Sequence, residues 1–323
     1  MPQLAILIPA YKADYLDQTL ASIAAQTCQD FNLYLGCDGP NAEIDAIAEK
    51  WKGKLPLHYH CFEENLGKKD LVAQWNRTLA LKGDEPFFTP FGDDDLMEPN
   101  CVEAFYKTLQ TEPQYDVYHW NLKIINADGS IKAVPTPFPE HLDSFDYFVK
   151  NNVVHTISTR IPEFIFRHSA FTQTGGYVWF PFGMFTDNAT VMRCSKGTGI
   201  RTVPDACVRW RNSGKNVSSN DAKAIALQEA HMQWNIDIFD FADTLYGKEE
   251  TDKYSKERMD FLLRDFAGPS LSVPMKRRKE ILLGWREFKE NPKLVERLPY
   301  IRWKIKTELA VKGFIKRLIH YKN

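Results

Sequence analysis

Short apolar runs alternate with helical stripes over the first third of the chain. LAILIP (residues 4–9) is a run of the kind buried on both faces of a parallel sheet, and Leu16, Leu20 and Ile23 then recur at helical spacing. FNLYLGCDGP reads as a strand and turn, Ile44, Ile47, Ala48 and Trp51 as one face of a second helix, and LHYHCF as a third strand. Leu71, Trp75 and Leu79 mark a third helix, and PFFTPF a fourth strand. This alternation predicts βαβ units, hence a mainly parallel central sheet with helices on both faces. Beyond Tyr115 the pattern is less regular. VYHWNLKII, a turn over residues 126–129 and IKAV predict a hairpin. A helix around SFDYFVKNN, a strand EFIFR, a helix within TDNATVMRCSKG and a last strand RTVPDACVRW follow. After Ser219 the chain reads as helical to its end, with breaks near Gly268-Pro269, Pro274, Pro292 and Pro299.

Ligands of such sheets sit at the carboxyl ends of the strands. Tyr11, Asp38 and the run Asp93, Asp94, Asp95 each directly follow a predicted parallel strand, so all should gather on one rim. Three consecutive acids are commonly a solvated loop tip, but a position at the end of the buried strand in FFTPFGDDDLMEP turns them toward a site. A calcium loop needs oxygen ligands at alternate positions out to a distant Glu, and Met97 and Pro99 break that pattern. Two carboxylates on a tight turn, Asp93 and Asp95, suit Mg²⁺ or Mn²⁺ kept partly hydrated and shared with substrate phosphates. The metal would cancel the mutual repulsion of the acids. Gly67-Lys68-Lys69 lacks the Ser or Thr and the upstream Gly of a Walker loop. Lys68, Lys69, Arg209, Arg211 and Lys215 are the basic candidates for a diphosphate, with exposed solubilising charge as the competing reading. His155 and His168 read as ordinary polar residues.

Composition narrows the partners. A chain of 323 residues with 44% hydrophobic content can bury one large domain and an appendage. A formal net charge of −1 excludes nucleic acid as the general partner, since phosphate-backbone binding needs a clear basic excess. The balance hides a polarity: residues 275–323 hold 15 Lys and Arg against 5 Asp and Glu, so the preceding residues are strongly acidic. Six scattered cysteines without a C-x-x-C pair suit neither a disulfide framework nor a zinc cluster, and fit a reducing cytosol. The opening LAILIPA has no basic region before it and resembles a strand more than a signal peptide. No stretch of ~18 apolar residues predicts a membrane-spanning helix. The sequons at Asn76, Asn188 and Asn216 then read as chance matches.

ILIPAYKADYLDQTLASIAAQTCQDFNLYLGCDGP resembles the start of a family 2 glycosyltransferase, an inverting enzyme of the GT-A fold. ENLGKKDLVAQWNRTLA resembles the N-x-G stretch of that family and its following helix, and GDDDLMEP its D-x-D motif. The likeness reappears at IPEFIFRHSAFTQTGGY and FTDNATVMRCSKG, and runs from about residue 3 to about 215. It implies that Pro9, Ala10 and Tyr11 line a nucleotide pocket, with Tyr11 against the base, and that Asp38 accepts a hydrogen bond from the base. An acidic acceptor suits the N3–H of uracil, so UDP-sugars lead, with GDP- and dTDP-sugars open. Two departures stand out. Cys37-Asp38 replaces a frequent pair of acids, and Gly92 stands where many members begin the D-x-D, so metal ligation by Asp94 with Asp95 is the alternative to Asp93 with Asp95. Asp187 falls at the position of the catalytic base, with helix N-capping by Thr186 or Asp187 as the structural alternative, and Glu163 next in line should the base lie elsewhere.

The expected organisation is a GT-A domain over residues 1–219, its nucleotide-binding half about 1–112 and its acceptor-side half about 113–219, followed by a helical, basic region over 220–323. The expected reaction moves a sugar from a nucleoside diphosphate donor to a hydroxyl of a glycan or lipid-linked glycan acceptor, with inversion, in the assembly of polysaccharide, lipopolysaccharide or another glycan. The expected location is the cytoplasm, with peripheral contact to an anionic membrane through 275–323, where basic residues mix with Trp285, Trp303, Phe314 and Ile315. A helical face packed on the catalytic domain is the alternative for that tail. Two rivals compete for the whole: a nucleotidyltransferase, although PAYKADYL lacks its Gly-rich opening, and a catalytically silent protein that binds sugar nucleotides.

Overall fold

The structure, a computed structural model, describes residues 2–214 and 224–320, without the side chains of residues 224 and 313–320. The chain divides into two compact units, Met1–Ser219 and Asn220–Asn323. In the first, strand and helix alternate as β1 (Leu4–Ala10), α1 (Leu16–Ala24), β2 (Phe31–Cys37), α2 (Ala42–Trp51), β3 (Leu57–Cys61), α3 (Leu71–Leu79) and β4 (Phe87–Pro90). The short β5 (Leu96–Met97) and α4 (Cys101–Thr111) lead to the hairpin of β6 (Val117–Asn126) and β7 (Ile131–Ala133). Then come β8 (His141–Leu142), α5 (Ser144–Phe148), β9 (Phe164–Arg167), α6 (His168–Gln173), α7 (Thr186–Ser195) and the long β10 (Ile200–Asn212). One sheet holds all ten strands in the order β3-β2-β1-β4-β9-β6-β10-β5, with β7 on β6 and β8 on β10. β1 runs parallel to β2 and β4, β2 to β3, and β10 to β6, while β9 lies antiparallel between β4 and β6. This is the α/β, mainly parallel architecture that the apolar pattern predicts.

The parallel strands are apolar on both faces because helices cover both, and Leu4, Ile6, Ile8, Leu33 and Leu35 are fully buried. Local capping fixes the helix starts: Asn41 accepts from the N–H groups of Glu43 and Ile44, and Asp70 from that of Ala73. α3 departs from its predicted face. Val72 and Thr78 are buried, whereas Leu71, Trp75 and Leu79 are half-buried, and Trp75 meets the ring edge of Tyr177 at 5.4 Å. Gly36 explains the choice, since a Cβ there would lie 2.6 Å from Thr78 Oγ1; a bare strand position lets the helix settle on its Thr rather than on its Leu stripe.

The second unit is helical: α8 (Ala224–Tyr246), α9 (Lys248–Asp252), α10 (Ser255–Phe266), α11 (Met275–Leu282), α12 (Arg286–Glu290) and α13 (Leu298–His320). Pro299 does not break a helix. It sits in the first turn of α13, where a missing N–H costs nothing. Two arginines build this core. Arg258 lies over both the Phe239 and Trp285 rings, 4.8 and 5.1 Å from their centres, and pairs with Asp243 at 2.8 Å. Arg278, fully buried, collects the carbonyls of Phe266, Gly268, Leu271 and Val273. Among the described residues no helix is long and apolar enough to cross a membrane.

Candidate active site

β1, β2 and β4 all end on one rim. Register aligns Ala10 with Cys37 and Leu7 with Pro90, and the Asp38 N–H donates to the Ala10 carbonyl at 2.8 Å. Ala10 itself is fully buried, Pro9 is partly exposed, and Tyr11 projects with 56% of its surface open. Asp38 is nearly buried, and its carboxylate accepts from the N–H groups of Leu66 (2.8 Å) and Gly67 (3.0 Å) and from Arg77 Nη2 (2.5 Å). Arg77 lies 4.0 Å over the Phe62 ring. The acid therefore ties the end of β2 to the N-x-G turn and α3. Lys68 and Lys69 follow that turn in the open, the latter 3.5 Å from Glu64.

The three acids have three different surroundings. Asp93 Oδ2 accepts from the N–H groups of Tyr11 and Lys12, both at 2.8 Å, fastening the acid turn to the end of β1. Asp95 Oδ1 accepts from the Arg211 N–H on β10 at 2.9 Å. The Arg211 guanidinium is wholly buried: Nε donates to the Asp94 carbonyl, Nη1 to that of Ala127 and Nη2 to Gln18 Oε1, and the group lies 4.3 Å over the Tyr15 ring. It faces inward and builds the turn; it is not placed as a surface group for a diphosphate. Arg209 is paired with Glu98 at 3.1 Å, and Lys215 lies outside the described residues.

The carboxylates of Asp94 and Asp95 turn back together over Gly92, where a Cβ would collide with Asp95 Oδ2 and come within 3.2 Å of Asp94 Oδ1. Burial and then the Asp93 charge push Asp94 up to about 6, and burial and then Asp94 push Asp95 well above the usual carboxylate range. Among the described residues no three His, Cys, Asp or Glu are grouped to hold a metal. Two adjacent, charge-starved carboxylates nevertheless fit a hard divalent ion that keeps waters and takes its other ligands from phosphate.

The second half supplies another pair of acids. Asp187 is not a cap: Phe185 holds the cap position with a left-handed φ of 57° and no side-chain hydrogen bond, and Asp187 is in the first turn of α7, its Oδ1 accepting the Asn188 N–H at 2.9 Å. Burial raises its pKa against the pull of that N–H and of the Arg160 charge. Glu163 is 2% exposed, accepts the Arg160 N–H on Oε1 and meets His119 Nε2 through Oε2 at 2.9 Å. Burial raises Glu163 well above its ordinary range, with smaller contributions from Asp187 and Asp95, and burial lowers His119 to about 3. Burial thus favours the neutral form of each, the donor of the Nε2–Oε2 contact being set by the His119 tautomer, and His119 Nδ1 has no hydrogen-bond partner. His168, by contrast, packs edge-on to Phe88 at 6.1 Å, away from these acids.

Arg77, Arg160 and His119 are not among the residues that the sequence singles out, and Glu163 enters there only as the alternative base. Arg77 carried a faint signal, three residues after Gln74 on one helical face, and Gln74 does reach the end of β2 through the Gly36 carbonyl. His119 carried one in the hairpin alternation, which puts it on the opposite face to the buried Tyr118 and Trp120.

A mainly parallel half with an acid turn at its rim, continued by a mixed half, is the architecture of a GT-A glycosyltransferase. The model of the family described as Glycosyl transferase family 2 matches residues 5–184, more than half of the chain, and the chain belongs to that family. Among curated proteins, the "Processive diacylglycerol beta-glycosyltransferase" of Mycoplasma pneumoniae (strain ATCC 29342 / M129 / Subtype 1) is 24% identical over 244 residues, 68% of this chain and 69% of that protein. S. aureus TarS 1-349, solved in complex with UDP-GlcNAc, superposes with a TM-score of 0.63 at 15% identity, over 95% of this chain and 92% of that one. GalNAc-T7, solved with UDP, GalNAc and Mn²⁺, does so with a TM-score of 0.50 at 12% identity, over 85% and 59%. At such identities the structural likeness shows the fold alone. The chain is a glycosyltransferase that draws on a nucleotide-sugar donor.

The neutral Glu163 makes a testable statement. A carboxyl whose pKa is higher folded than unfolded, where it is about 4.5, contributes stability that is present below that value and lost as pH rises through the folded one. The melting temperature of wild type relative to Glu163→Gln, which keeps a donor toward His119, should therefore fall as pH rises above about 5. A difference that stays flat over that range would mean that Glu163 is ionised throughout.

Proposed function

We propose that the enzyme transfers a sugar from a UDP-sugar to an acceptor hydroxyl with inversion, Asp187 acting as general base. The observation that supports this reading is that Glu163 feels the charges of both Asp187 and Asp95, which sets the partly exposed Asp187 in the same acidic neighbourhood as the turn where Asp94 and Asp95 pair. Pro9 and Ala10 set the backbone at the end of β1, and the open ring of Tyr11 offers a stacking surface to the base. Asp38 shapes the base pocket through the N-x-G turn, with lone-pair capacity left on Oδ2 for the uracil N3–H. TarS and GalNAc-T7 were both solved with uridine nucleotides, which supports the same donor class here.

Asp94 and Asp95 are the residues that would hold the divalent ion, Mn²⁺ or Mg²⁺, with Asp93 Oδ2 already engaged by two backbone N–H groups. When bound, the ion stabilises the negative charge on the departing diphosphate. Lys12, whose charge acts on both Asp93 and Asp94, stands nearer to that diphosphate than the exposed Lys68 and Lys69. In the transfer itself the acceptor oxygen bonds to the anomeric carbon from the face opposite the nucleotide. The bond from that carbon to the β-phosphate oxygen breaks, UDP leaves with the electron pair, and the acceptor proton passes to Asp187.

The acceptor side involves a membrane surface in this reading, consistent with the lipid substrate in the name of the Mycoplasma protein. The supporting feature is narrower than the tail as a whole. Arg278 and Trp285 belong to the core of the helical unit, and Arg277, Lys279 and Arg286 are paired with acids. The side chains of Phe314 and Ile315 lie outside those described. Exposed aromatic and basic residues come together on α13, where Tyr300 and Trp303 (62% exposed) stack at 6.0 Å beside the exposed Lys304 and Lys306. Aromatic and basic residues mixed in this way suit the interface of an anionic bilayer.

Three outcomes check these roles. Asp187→Asn keeps the acceptor for the Asn188 N–H, so kcat should fall ~10²-fold to 10⁴-fold while UDP affinity and melting temperature hold; near-normal turnover with the true acceptor would return Asp187 to a structural role. Asp95→Asn should remove the Mn²⁺-dependent part of UDP binding measured by calorimetry without lowering thermal stability, and full turnover of chelator-treated wild type would sink the metal assignment. Trp303→Ser should weaken sedimentation with phosphatidylglycerol vesicles, itself declining with salt; equal binding to neutral vesicles would count against the membrane contact.

A further inference from the structure

Beside Glu163 lies a cavity of about 320 Å³ that none of the roles above uses. Its wall includes His119, Asn121 and Lys123, alternate residues of β6 that share one face of the strand, together with Glu98, Ser158 and Glu163. Residues 134–137, Val-Pro-Thr-Pro, close one side as an exposed segment stiffened by two prolines. The Phe138 N–H donates to Asn121 Oδ1 at 3.1 Å, and the Phe138 ring stacks on His119 at 4.0 Å, so loop and strand hold each other.

Three features of this cavity point to one kind of ligand. Its volume is at the low end of small-molecule pockets, about 300–1,000 Å³, room for a single ring. Its charges balance: Lys123 (2.6 Å) and Arg209 (3.1 Å) converge on the same oxygen of Glu98, and Asp205 stands on the wall nearby. A phosphate would find no net positive field there. Its polar groups are unequally satisfied, since Glu98 presents a second oxygen beyond the one bound by both cations, and His119 Nδ1 is buried without a partner. A wall of donors and acceptors in fixed positions, with Phe138 among them, is what a ring bearing several hydroxyls needs. Glu163 also joins the cavity to the acids of the site, because it feels the charges of both Asp187 and Asp95.

We propose that this cavity is the acceptor subsite and that it takes one neutral, hydroxylated sugar ring, whose free hydroxyl it presents toward Asp187. The assignment rests on the glycosyl-transfer reading and narrows it: the group recognised is a glycosyl residue already on the acceptor, rather than a phosphate or a bare lipid hydroxyl. Affinity for the ring comes from Glu98, Lys123, Asn121 and the His119–Glu163 pair, and the Pro-bounded segment keeps the subsite formed before the acceptor arrives.

The test uses the full chain, methyl β-D-glucopyranoside and methyl β-D-galactopyranoside as neutral probes, glycerol 1-phosphate as the anionic one, and Thr136→Trp to fill the cavity from its exposed side. Binding is read by saturation-transfer NMR, which does not require turnover, and transfer by UDP release from a panel of UDP-sugars. At least one methyl glycoside should bind wild type, glycerol 1-phosphate should not displace it, and Thr136→Trp should weaken that binding tenfold or more. Where transfer is observed, Thr136→Trp should raise the acceptor KM tenfold or more, well beyond any change in the donor KM. Glycoside binding that Thr136→Trp leaves within twofold, displacement by glycerol 1-phosphate, or no binding of either glycoside would overturn the subsite. Absence of UDP release from every donor, with cavity-dependent glycoside binding intact, would instead overturn the transferase reading and leave a sugar-binding cavity.

Discussion

Everything on the rim depends on holding three carboxylates on one four-residue turn. Like charges at this spacing, withdrawn from water, oppose the fold, and the ends of β1 and β10 meet them with different groups. Asp93 is met by the N–H groups at the end of β1, Asp95 by the N–H of Arg211 on β10, and the Asp94 carbonyl by the Arg211 guanidinium. The first half of the domain and its last strand are thus joined through the acid turn itself. Gly92 is part of the same arrangement, because only a residue without Cβ lets the Asp94 and Asp95 carboxylates fold back together. A turn that leaves two carboxyl groups with raised pKa values has concentrated negative potential at one point, which is the condition for drawing in a cation that a fully paired turn would not meet.

Much of this was legible in sequence because it is periodic or adjacent. Strand and helix alternation in the first half follows from apolar spacing alone, and the rim position of Tyr11, Asp38 and the acid run follows from parallel strands that all end on one side. What could not be read was which partner each polar group finds. Asp38 looked like a ligand for a base, yet most of its hydrogen bonds go to Leu66, Gly67 and Arg77, 28 to 39 positions away. Arg211 looked like a surface cation and is a buried scaffold, since nothing local in VRWRN shows that Tyr15 and Gln18 wait beneath it. Pairing of this sort is set by strand order, and the insertion of antiparallel β9 between β4 and β6 is a fact about the closed sheet, not about any segment.

The basic tail shows the same limit in another form. An excess of ten positive charges over its 49 residues suggests one uniform surface. The folded unit splits it, placing Arg278 at a cluster of carbonyls left by the break between α10 and α11, pairing Arg277, Lys279 and Arg286 with acids, and spreading the other exposed cations from α11 to α13. Counting charge along a chain overstates the charge a partner can meet.

Asp187, the base in the proposed transfer, shows how competing terms set the protonation of a partly buried carboxyl. A carboxylate in the first turn of a helix is favoured in its ionised form by the helix end, by several tenths of a kcal/mol to about 1 kcal/mol at exposed positions. Here the net shift is upward, so burial outweighs the helix end and the Arg160 charge together. The approach to α7 is itself strained, with Phe182 and Phe185 both held at positive φ around Gly183. Such backbone costs of order 1–3 kcal/mol per residue and persists where the surroundings dictate it. A carboxyl with its affinity for protons raised, but with a cation close enough to limit the rise, can remain ionised near neutral pH and still accept a proton more readily than a fully solvated acid. That is the balance a general base requires.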